Sequence, residues 1–243
     1  MLRFLLIYSF AALFFSACKK NNADINLDKG LVIDIALDGN AIEAVSGIQG
    51  NINNATPTTN RTGAANKAMQ FVKTDSAYIS FDNLLPASFP NHVFSISFWI
   101  NISDTSGKMA VLSKRGIFGP YEYSIDNFFG NNTLKFDNWI ENGATTVYGI
   151  DPLEAAAPLL PGNWQHIVFV ADGTKLQVYW NSFLQSGIDY KREEFSFSAT
   201  NTPFVIGNGG GYNRNYFFNG KIDDIKMYNR VLSQEEIQAL NTL

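Results

Sequence analysis

The sequence predicts an all-β fold, a two-sheet antiparallel sandwich with one short C-terminal helix. From Leu31 onward, short apolar runs alternate with period two and are separated by Gly, Asn, Asp and Pro. This is the pattern of half-buried strands joined by turns. Of the 243 residues, 46% are hydrophobic and 14% aromatic, so the chain can bury a large core. The length fits one all-β domain, which we place at residues 31–243.

The clearest strand lies at 94–100. Phe94, Ile96, Phe98 and Ile100 alternate there with Ser or Trp, so one face of this strand is predicted to lie in the core. The same reasoning predicts about nine further strands, at 31–37, 77–81, 109–113, 121–125, 133–136, 164–170, 175–180, 204–206 and 222–228. The stretches 47–67 and 151–162 are rich in turn-forming residues and are predicted to be long surface loops.

A short helix is predicted at 233–240. Ser233 and Glu236 have the spacing of a capping box, in which each side chain binds the backbone N–H of the other residue. Ile237 and Leu240 lie three residues apart, on one face of the helix. We therefore expect the helix to dock onto the sandwich through these two side chains.

The N-terminal residues predict where the protein is located in the cell. Arg3 precedes an apolar run at 4–15 that is closed by Ser16 and Ala17, which is the pattern of a signal peptide over residues 1–17. The run is shorter than the roughly 20 residues that span a bilayer, and a short membrane anchor is the alternative. The segment Phe-Ser-Ala-Cys at 15–18 resembles a bacterial lipobox. That resemblance implies cleavage before Cys18, lipid on its sulfur, and a lipidated, flexible tether at 18–30.

Composition excludes several classes of function. The net charge is -4 and the chain has no basic stripe, so we expect no nucleic-acid partner. Cys18 is the sole cysteine, which excludes an intramolecular disulfide and a multi-cysteine metal site. We expect the membrane to be contacted through the lipid anchor only. The predicted location is the cell envelope, at the outer membrane or the cell surface.

Several blocks of sequence resemble one family. They lie at 37–41, 68–71, 77–79, 94–100, 163–168, 175–181 and 219–233, and together they cover Leu31 to Leu240. Their order and content are similar to the laminin G-like, concanavalin A-like lectin and glucanase domains of bacterial lipoproteins and other secreted bacterial proteins. The last block also resembles the end of pentraxins, which share the fold. The resemblance implies a jelly-roll topology for the sandwich.

The same resemblance implies a structural calcium ion. Asp38 and Asn40 follow the first strand and Asp223 lies in the last long strand, and many members of the family hold calcium where these ends meet. The three side chains would supply oxygen ligands of the kind that Ca²⁺ prefers. The alternative is that Asp38 belongs to a turn and that Asp223 is a buried hydrogen-bond acceptor.

The sequence lacks the carboxylate pattern of jelly-roll glucanases. Those enzymes carry acidic residues at alternate positions of one strand, which brings an acid and a nucleophile to about 5.5 Å. Here Glu193–Glu194 and Asp223–Asp224 are adjacent pairs, and adjacent strand residues point to opposite faces. Glu122 and Asp126 share a face but are roughly 13 Å apart. His166 shares a face with apolar residues and is interpreted as a core histidine rather than a catalytic base.

Three aromatic residues are candidates for ligand binding. Trp139, Tyr148 and Tyr212 lie beside Asn or Gly instead of filling an apolar alternation. Aromatic faces next to polar side chains on a rigid sandwich are suited to sugars, although packing in the core is the alternative. We therefore predict a module, not an enzyme, that binds carbohydrate or an envelope or extracellular protein. A hydrolase with a displaced carboxylate pair and a purely structural envelope protein are the two alternatives.

Overall fold

The computed structural model describes most of the sandwich. It covers residues 25–82, 84, 89, 91–115, 121–127, 134–142, 145–149, 159–189, 202–209 and 216–243. For strand residues 115, 121, 122, 135, 137–142 and 145–149 it describes the backbone alone. The predicted signal peptide, Cys18 and residues 19–24 lie outside this part of the chain.

The described residues form strands that are numbered here in chain order. They are β1 (Leu31–Ile35), β2 (Asn51–Asn53), β3 (Thr56–Thr58), β4 (Ala68–Phe71), β5 (Tyr78–Phe81), β6 (Val93–Ile102), β7 (Ala110–Arg115), β8 (Tyr121–Asp126), β9 (Lys135–Asn142), β10 (Thr145–Gly149), β11 (Trp164–Asp172), β12 (Lys175–Trp180), β13 (Phe183–Asp189), β14 (Phe204–Ile206) and β15 (Gly220–Tyr228). A 3₁₀ turn lies at Lys73–Asp75, and the helix α1 spans Gln234–Leu240.

The strands pair into two antiparallel sheets. The first has the order β13-β12-β11-β6-β15-β4-β3, with β1 also paired to β15, and the second has the order β10-β9-β8-β7-β14-β5-β2. Phe94, Ile96, Phe98 and Ile100 of β6 are all buried in the core, as the alternation predicts. The predicted all-β sandwich is therefore confirmed.

The stretch 47–67 is wrong as a continuous loop. It contains β2 and β3, two three-residue strands at the ends of the two sheet orders. Edge strands need few apolar residues because only one of their sides is paired, and an edge can accept Pro57, which has no N–H to donate. A polar edge strand therefore has the same sequence pattern as a loop, which is why the sequence predicts a loop at 47–67. Of the second predicted loop, the structure describes only residues 159–162.

The helix α1 forms as the sequence predicts. Ser233 Oγ accepts a hydrogen bond from Glu236 N at 3.2 Å, and Glu236 Oε2 accepts one from Ser233 N at 2.8 Å, which completes the capping box. Ile237 and Leu240 are buried with Val168, Val170, Tyr228 and Leu232 on the outer face of the first sheet. Part of the outer face is therefore buried as well as the core face. No helix in the described ranges is both long enough and apolar enough to cross a membrane.

Candidate functional site

Two of the three residues predicted to hold calcium lie in one charged cluster. β1 pairs with β15 as far as Ile35 opposite Ile225, and Asp38 follows β1 closely enough for its charge to add to burial in raising the pKa of the Asp223 carboxyl. Asn40 does not join them. Its Nδ2 donates to the carbonyl of Asp38 at 3.1 Å and its Oδ1 accepts from Ile42 N at 3.0 Å, so its amide stabilises its own turn.

Arg61 supplies the cation of this cluster. Its Nη1 lies 2.7 Å from Asp223 Oδ2 and its Nη2 lies 2.7 Å from Asp224 Oδ2. The turn that carries Arg61 is fixed by Asn60, whose Oδ1 accepts from Thr62 N at 3.1 Å and from Ala64 N at 3.0 Å. The Arg61 side chain is only 12% exposed, so this is a buried ion pair rather than a surface one. Local sequence patterns give no signal for Arg61, because it lies in a polar segment 162 residues away from its partner Asp223.

The arrangement does not fit a calcium ion. Asp223 and Asp224 are bound to Arg61, and Lys67 Nζ lies 2.6 Å from Asp38 Oδ2. A Ca²⁺ ion needs 6 to 8 oxygen ligands, and both cationic side chains would have to leave before these carboxylates could serve. Among the described residues, no group of three or more His, Cys, Asp or Glu side chains is placed to hold a metal ion.

The two adjacent carboxylates share one side of β15, contrary to the prediction. The strand has a bulge between Asp223 and Lys226, and Asp224 adopts the left-handed backbone region at φ 46°. The bulge breaks the alternation, so Asp223 and Asp224 both reach Arg61. The other adjacent pair, Glu193–Glu194, lies outside the described residues.

Burial sets the electrostatics of Asp223. Its side chain is 2% exposed, against 31% for Asp224. Burial and then the charge of Asp224 raise the pKa of Asp223 from 3.8 to about 7, while Arg61 acts in the opposite direction. Asp223 therefore titrates near neutral pH, although it is paired with a guanidinium.

A stack of flat side chains connects this cluster to the middle of the sheet. Trp99 on β6 pairs in register with Asp223 on β15 and with His166 on β11. The His166 ring lies 5.0 Å from the Trp99 ring at an interplanar angle of 26°, and Arg61 Cζ lies 4.7 Å from the ring on the β15 side. Trp99 is thus held between a cation and an imidazole, and its face is not open as a binding platform.

His166 is a buried histidine, as predicted. Its Nε2 lies 2.8 Å from Ser97 Oγ, and the carboxamide of Asn241 lies beside the ring without a hydrogen bond of good geometry to Nδ1. Burial, followed by the charge of Arg61, lowers the pKa of His166 to about 3. A neutral imidazole with so low a pKa is a poor general base at neutral pH. No carboxylate of the described residues is hydrogen-bonded to its second nitrogen, as a catalytic triad requires.

A small pocket opens beside the stack. It has a volume of about 160 Å³ and is lined by Ser97, Trp99, Asp224, Lys226, Leu240 and Leu243. Lys226 Nζ is already paired with Asp34 Oδ1 at 2.6 Å, and Asp224 with Arg61. Both charges of the pocket are therefore neutralised within the protein, and the volume is below that of typical ligand pockets.

The predicted aromatic residues lie at the edge of the second sheet, as far as the structure describes them. Tyr148 on β10 is the register partner of Trp139 on β9, and β10 ends the order of the second sheet. Their side chains lie outside the described part of the chain, as does the whole of Tyr212. On its other side, β9 pairs with β8, where Asp137 is the register partner of Ser124.

Two comparisons with known proteins bear on this fold. A family model for the concanavalin A-like lectin/glucanases superfamily matches residues 73–238, which is more than half of the chain. This match confirms the resemblance carried by the sequence blocks and the jelly-roll assignment. No curated protein matches the chain.

Solved structures with the same fold include domains crystallised with sugars. Domain 4 of AbnA, a GH43 extracellular arabinanase from Geobacillus stearothermophilus, in complex with arabinotriose, matches with a TM-score of 0.64 and 16% identity over 87% of this chain and 98% of that one. The binding domain of Paraclostridial Mosquitocidal Protein 1 matches with a TM-score of 0.68 and 14% identity over 87% of this chain. The binding domain of botulinum neurotoxin DC in complex with SialylT matches with a TM-score of 0.61 and 15% identity over 89% of this chain. The chain spans 52% of each toxin domain, and these identities show a common fold alone.

Proposed function

Because the chain belongs to the concanavalin A-like lectin/glucanases superfamily, we propose that it is a non-catalytic glycan-binding module of a cell-envelope lipoprotein. The glycan site of this proposal is the outer edge of the second sheet. The lipid is carried by Cys18, and the predicted address is the outer membrane or the cell surface. An envelope or extracellular protein is the alternative ligand.

The register of the β9–β10 hairpin carries the proposal. Trp139 and Tyr148 are directly opposite each other, and cross-strand partners have Cβ atoms about 4.5–5.5 Å apart on one face of a sheet. Two aromatic residues paired in register at an edge strand are of the type that binds the C–H face of a sugar ring, which supports this site. Asp137 lies two residues before Trp139, on the same face by alternation, and adds a hydrogen-bonding position.

Similar folds in complex with sugars support glycan as the ligand class. The arabinanase domain holds arabinotriose and one toxin binding domain holds SialylT. The charged cluster around Arg61 is less suited to the role, because its carboxylates and its Trp99 face are occupied by neighbouring side chains. The proposed site therefore lies away from that cluster.

The proposal is tested with Trp139→Ala and Tyr148→Ala. A glycan array on the purified protein first identifies a ligand, and titration then gives its dissociation constant. We expect each variant to weaken binding roughly 5- to 30-fold, equivalent to about 1 to 2 kcal/mol, and to change stability by less than about 1 kcal/mol. Phe183→Ala is the matched control, since Phe183 is an exposed aromatic on a hairpin of the other sheet. Folded variants that bind glycan as tightly as the wild type would contradict this site.

A hydrolase is the second candidate, and one observation favours it. Asp223 and Asp224 lie on one side of β15, and the pKa of Asp223 is raised to about 7, which suits a general acid. Arg61 is paired with both carboxylates, however, and a glycosidic oxygen would have to displace it. Hydrolysis of a bound oligosaccharide that Asp223→Asn abolishes would support this candidate over the first.

A further inference from the structure

An apolar hairpin tip projects from the edge of the first sheet. The turn between β12 and β13 is made by Asn181 and Ser182, whose φ angles of 48° and 67° are those of a tight type I′ turn. The next two residues, Phe183 and Leu184, are 72% and 51% exposed. Large apolar side chains at the tip of a rigid turn stabilise little of the protein's own core.

The tip lies against the helix that also receives the N-terminal segment. Gln234 Nε2, at the start of α1, donates to the carbonyl of Ser182 at 2.7 Å. Leu184 is the register partner of Tyr179, on the face of the sheet that carries α1, and both Tyr179 and Leu27 pack against the buried cluster under α1. Phe183 is the register partner of Trp180, which lies in the core cluster, so Phe183 flanks the hairpin tip from the other face. The hairpin tip and the point where the N-terminal segment reaches the sandwich therefore flank the same helix.

The N-terminal segment also has a fixed end. The carbonyl of Asn26 accepts from Arg230 Nη2 at 3.4 Å, and the carbonyl of Lys29 accepts from Arg230 Nε at 2.6 Å. Eight residues lie between Cys18 and Leu27, and the nine residue-to-residue steps of a fully extended chain span at most about 30 Å. A lipid on Cys18 would therefore keep the face that carries α1 close to the bilayer.

Other exposed apolar side chains adjoin the same face. Ile25 lies two residues before Leu27, Val231 precedes α1 and Leu243 follows it, and all three are exposed. The side of the sandwich that a short tether holds near the lipid is thus also rich in exposed apolar groups. Exposed apolar side chains held close to a bilayer match the chemistry of a lipid surface as the partner.

We propose that Phe183 and Leu184 insert into the membrane interface beside the lipid of Cys18 and orient the sandwich on the bilayer. The inference rests on the lipid anchor of the proposed function and goes beyond it, since it adds a second, protein-borne contact with the membrane. A second apolar contact, held beside the anchor at high effective concentration, orients the sandwich on the bilayer.

Because the chain has a single cysteine, the hairpin tip can be labelled specifically through an introduced thiol. When Cys18 carries lipid, a cysteine introduced elsewhere is the sole free thiol and can be labelled with an environment-sensitive fluorophore. Phe183→Cys places the fluorophore on the tip. Ala64→Cys is the matched control, because it lies in an exposed turn between β3 and β4, at the opposite edge of the same sheet. Six strand spacings of about 4.8 Å separate the two edges.

Full-length lipidated protein is reconstituted into vesicles of phosphatidylethanolamine and phosphatidylglycerol. We expect the emission at position 183 to rise several-fold, to shift to the blue and to be quenched by spin-labelled lipid, while position 64 behaves as in water. Leu184→Cys gives an independent measurement at the tip, and circular dichroism confirms that each variant is folded.

Each other outcome overturns the inference in a distinguishable way. Protein that floats with the vesicles but keeps position 183 in water retains its lipid anchor and has no tip contact. Protein that does not float, and whose Cys18 takes up the fluorophore, lacks the anchor, and the proposed lipoprotein fails together with the inference. A blue shift that needs no vesicles and grows with protein concentration means that a second copy of the chain covers the tip.

Discussion

Replacing Arg61 by alanine tests the charged cluster most directly. The substitution removes the guanidinium that lies 2.7 Å from both Asp223 and Asp224 and contacts the Trp99 ring. Two carboxylates then remain next to each other on one side of β15, the first of them buried. Uncompensated buried charge is among the costliest defects in a folded protein, so we expect Arg61→Ala to destabilise the sandwich strongly.

The loss of stability in Arg61→Ala depends on pH, and the raised pKa of Asp223 sets the direction of that dependence. The pKa of Asp223 is raised from its ordinary 3.8 to about 7 in the native protein. Between about pH 4 and about pH 7, Asp223 is therefore protonated in the native state and ionised in the unfolded state. The free energy of unfolding therefore falls as the pH rises from about 4 to about 7. Without Arg61 the pKa of Asp223 rises further and the fall continues above neutrality. Breaking a buried pair costs about 3 to 5 kcal/mol, and we expect about 3 kcal/mol at about pH 8 but only about 1 kcal/mol at about pH 5.

Urea denaturation of wild type and variant at about pH 5 and about pH 8 measures this difference. Lys67→Ala is the matched control, because Lys67 is the exposed cation of the same cluster and should change stability little at either pH. Arg61→Ala combined with Asp223→Asn removes the buried Arg61–Asp223 pair, and the loss of stability should then be the same at both pH values. An Arg61→Ala loss that is equal at both pH values, or absent, would refute the electrostatic account.

Two further predictions concern the helix and calcium. Ser233→Ala removes the acceptor of Glu236 N and should lower the free energy of unfolding by about 0.5 to 2 kcal/mol, measured by urea denaturation; an unchanged midpoint would mean that the capping box contributes nothing. Because Arg61 and Lys67 neutralise the carboxylates that calcium would use, the melting temperature should be the same with millimolar calcium and with chelator. A rise with calcium that Asp223→Asn abolishes would instead restore the calcium site implied by the family resemblance.

Local patterns predicted the parts of this fold that local physics controls. The alternation at 94–100 predicted a core face because each second side chain of a strand points the same way, and the capping box predicted where α1 begins. The positions of Asp223 and Asp224 could not be predicted in this way. Their shared side depends on a bulge, and the bulge is matched to a guanidinium from a distant turn. Periodicity carries no information on such a contact.

For the proposed binding site, the sequence predicted three separate aromatic residues but not which of them pair. Their context beside Asn and Gly indicated exposure, but pairing is a property of register, which depends on where the β9–β10 turn lies. The structure brings Trp139 opposite Tyr148. Tyr212 lies outside the described residues and stays a prediction.

The acidic residues at the β1 end of the sandwich are satisfied from within the chain. Glu43 is buried, and burial alone would raise its pKa, but hydrogen bonds from Ser46, Asp34 N and Val45 N hold the pKa below its ordinary value. Asp223 is paired with Arg61. A carboxylate that already accepts its full set of internal donors gains little by binding a ligand, because each new contact replaces an existing one. The carboxylates at this end of the fold are therefore already bound by internal partners. Recognition is better sought at the strand β10, which ends the order of the second sheet among the described residues and pairs Tyr148 with Trp139.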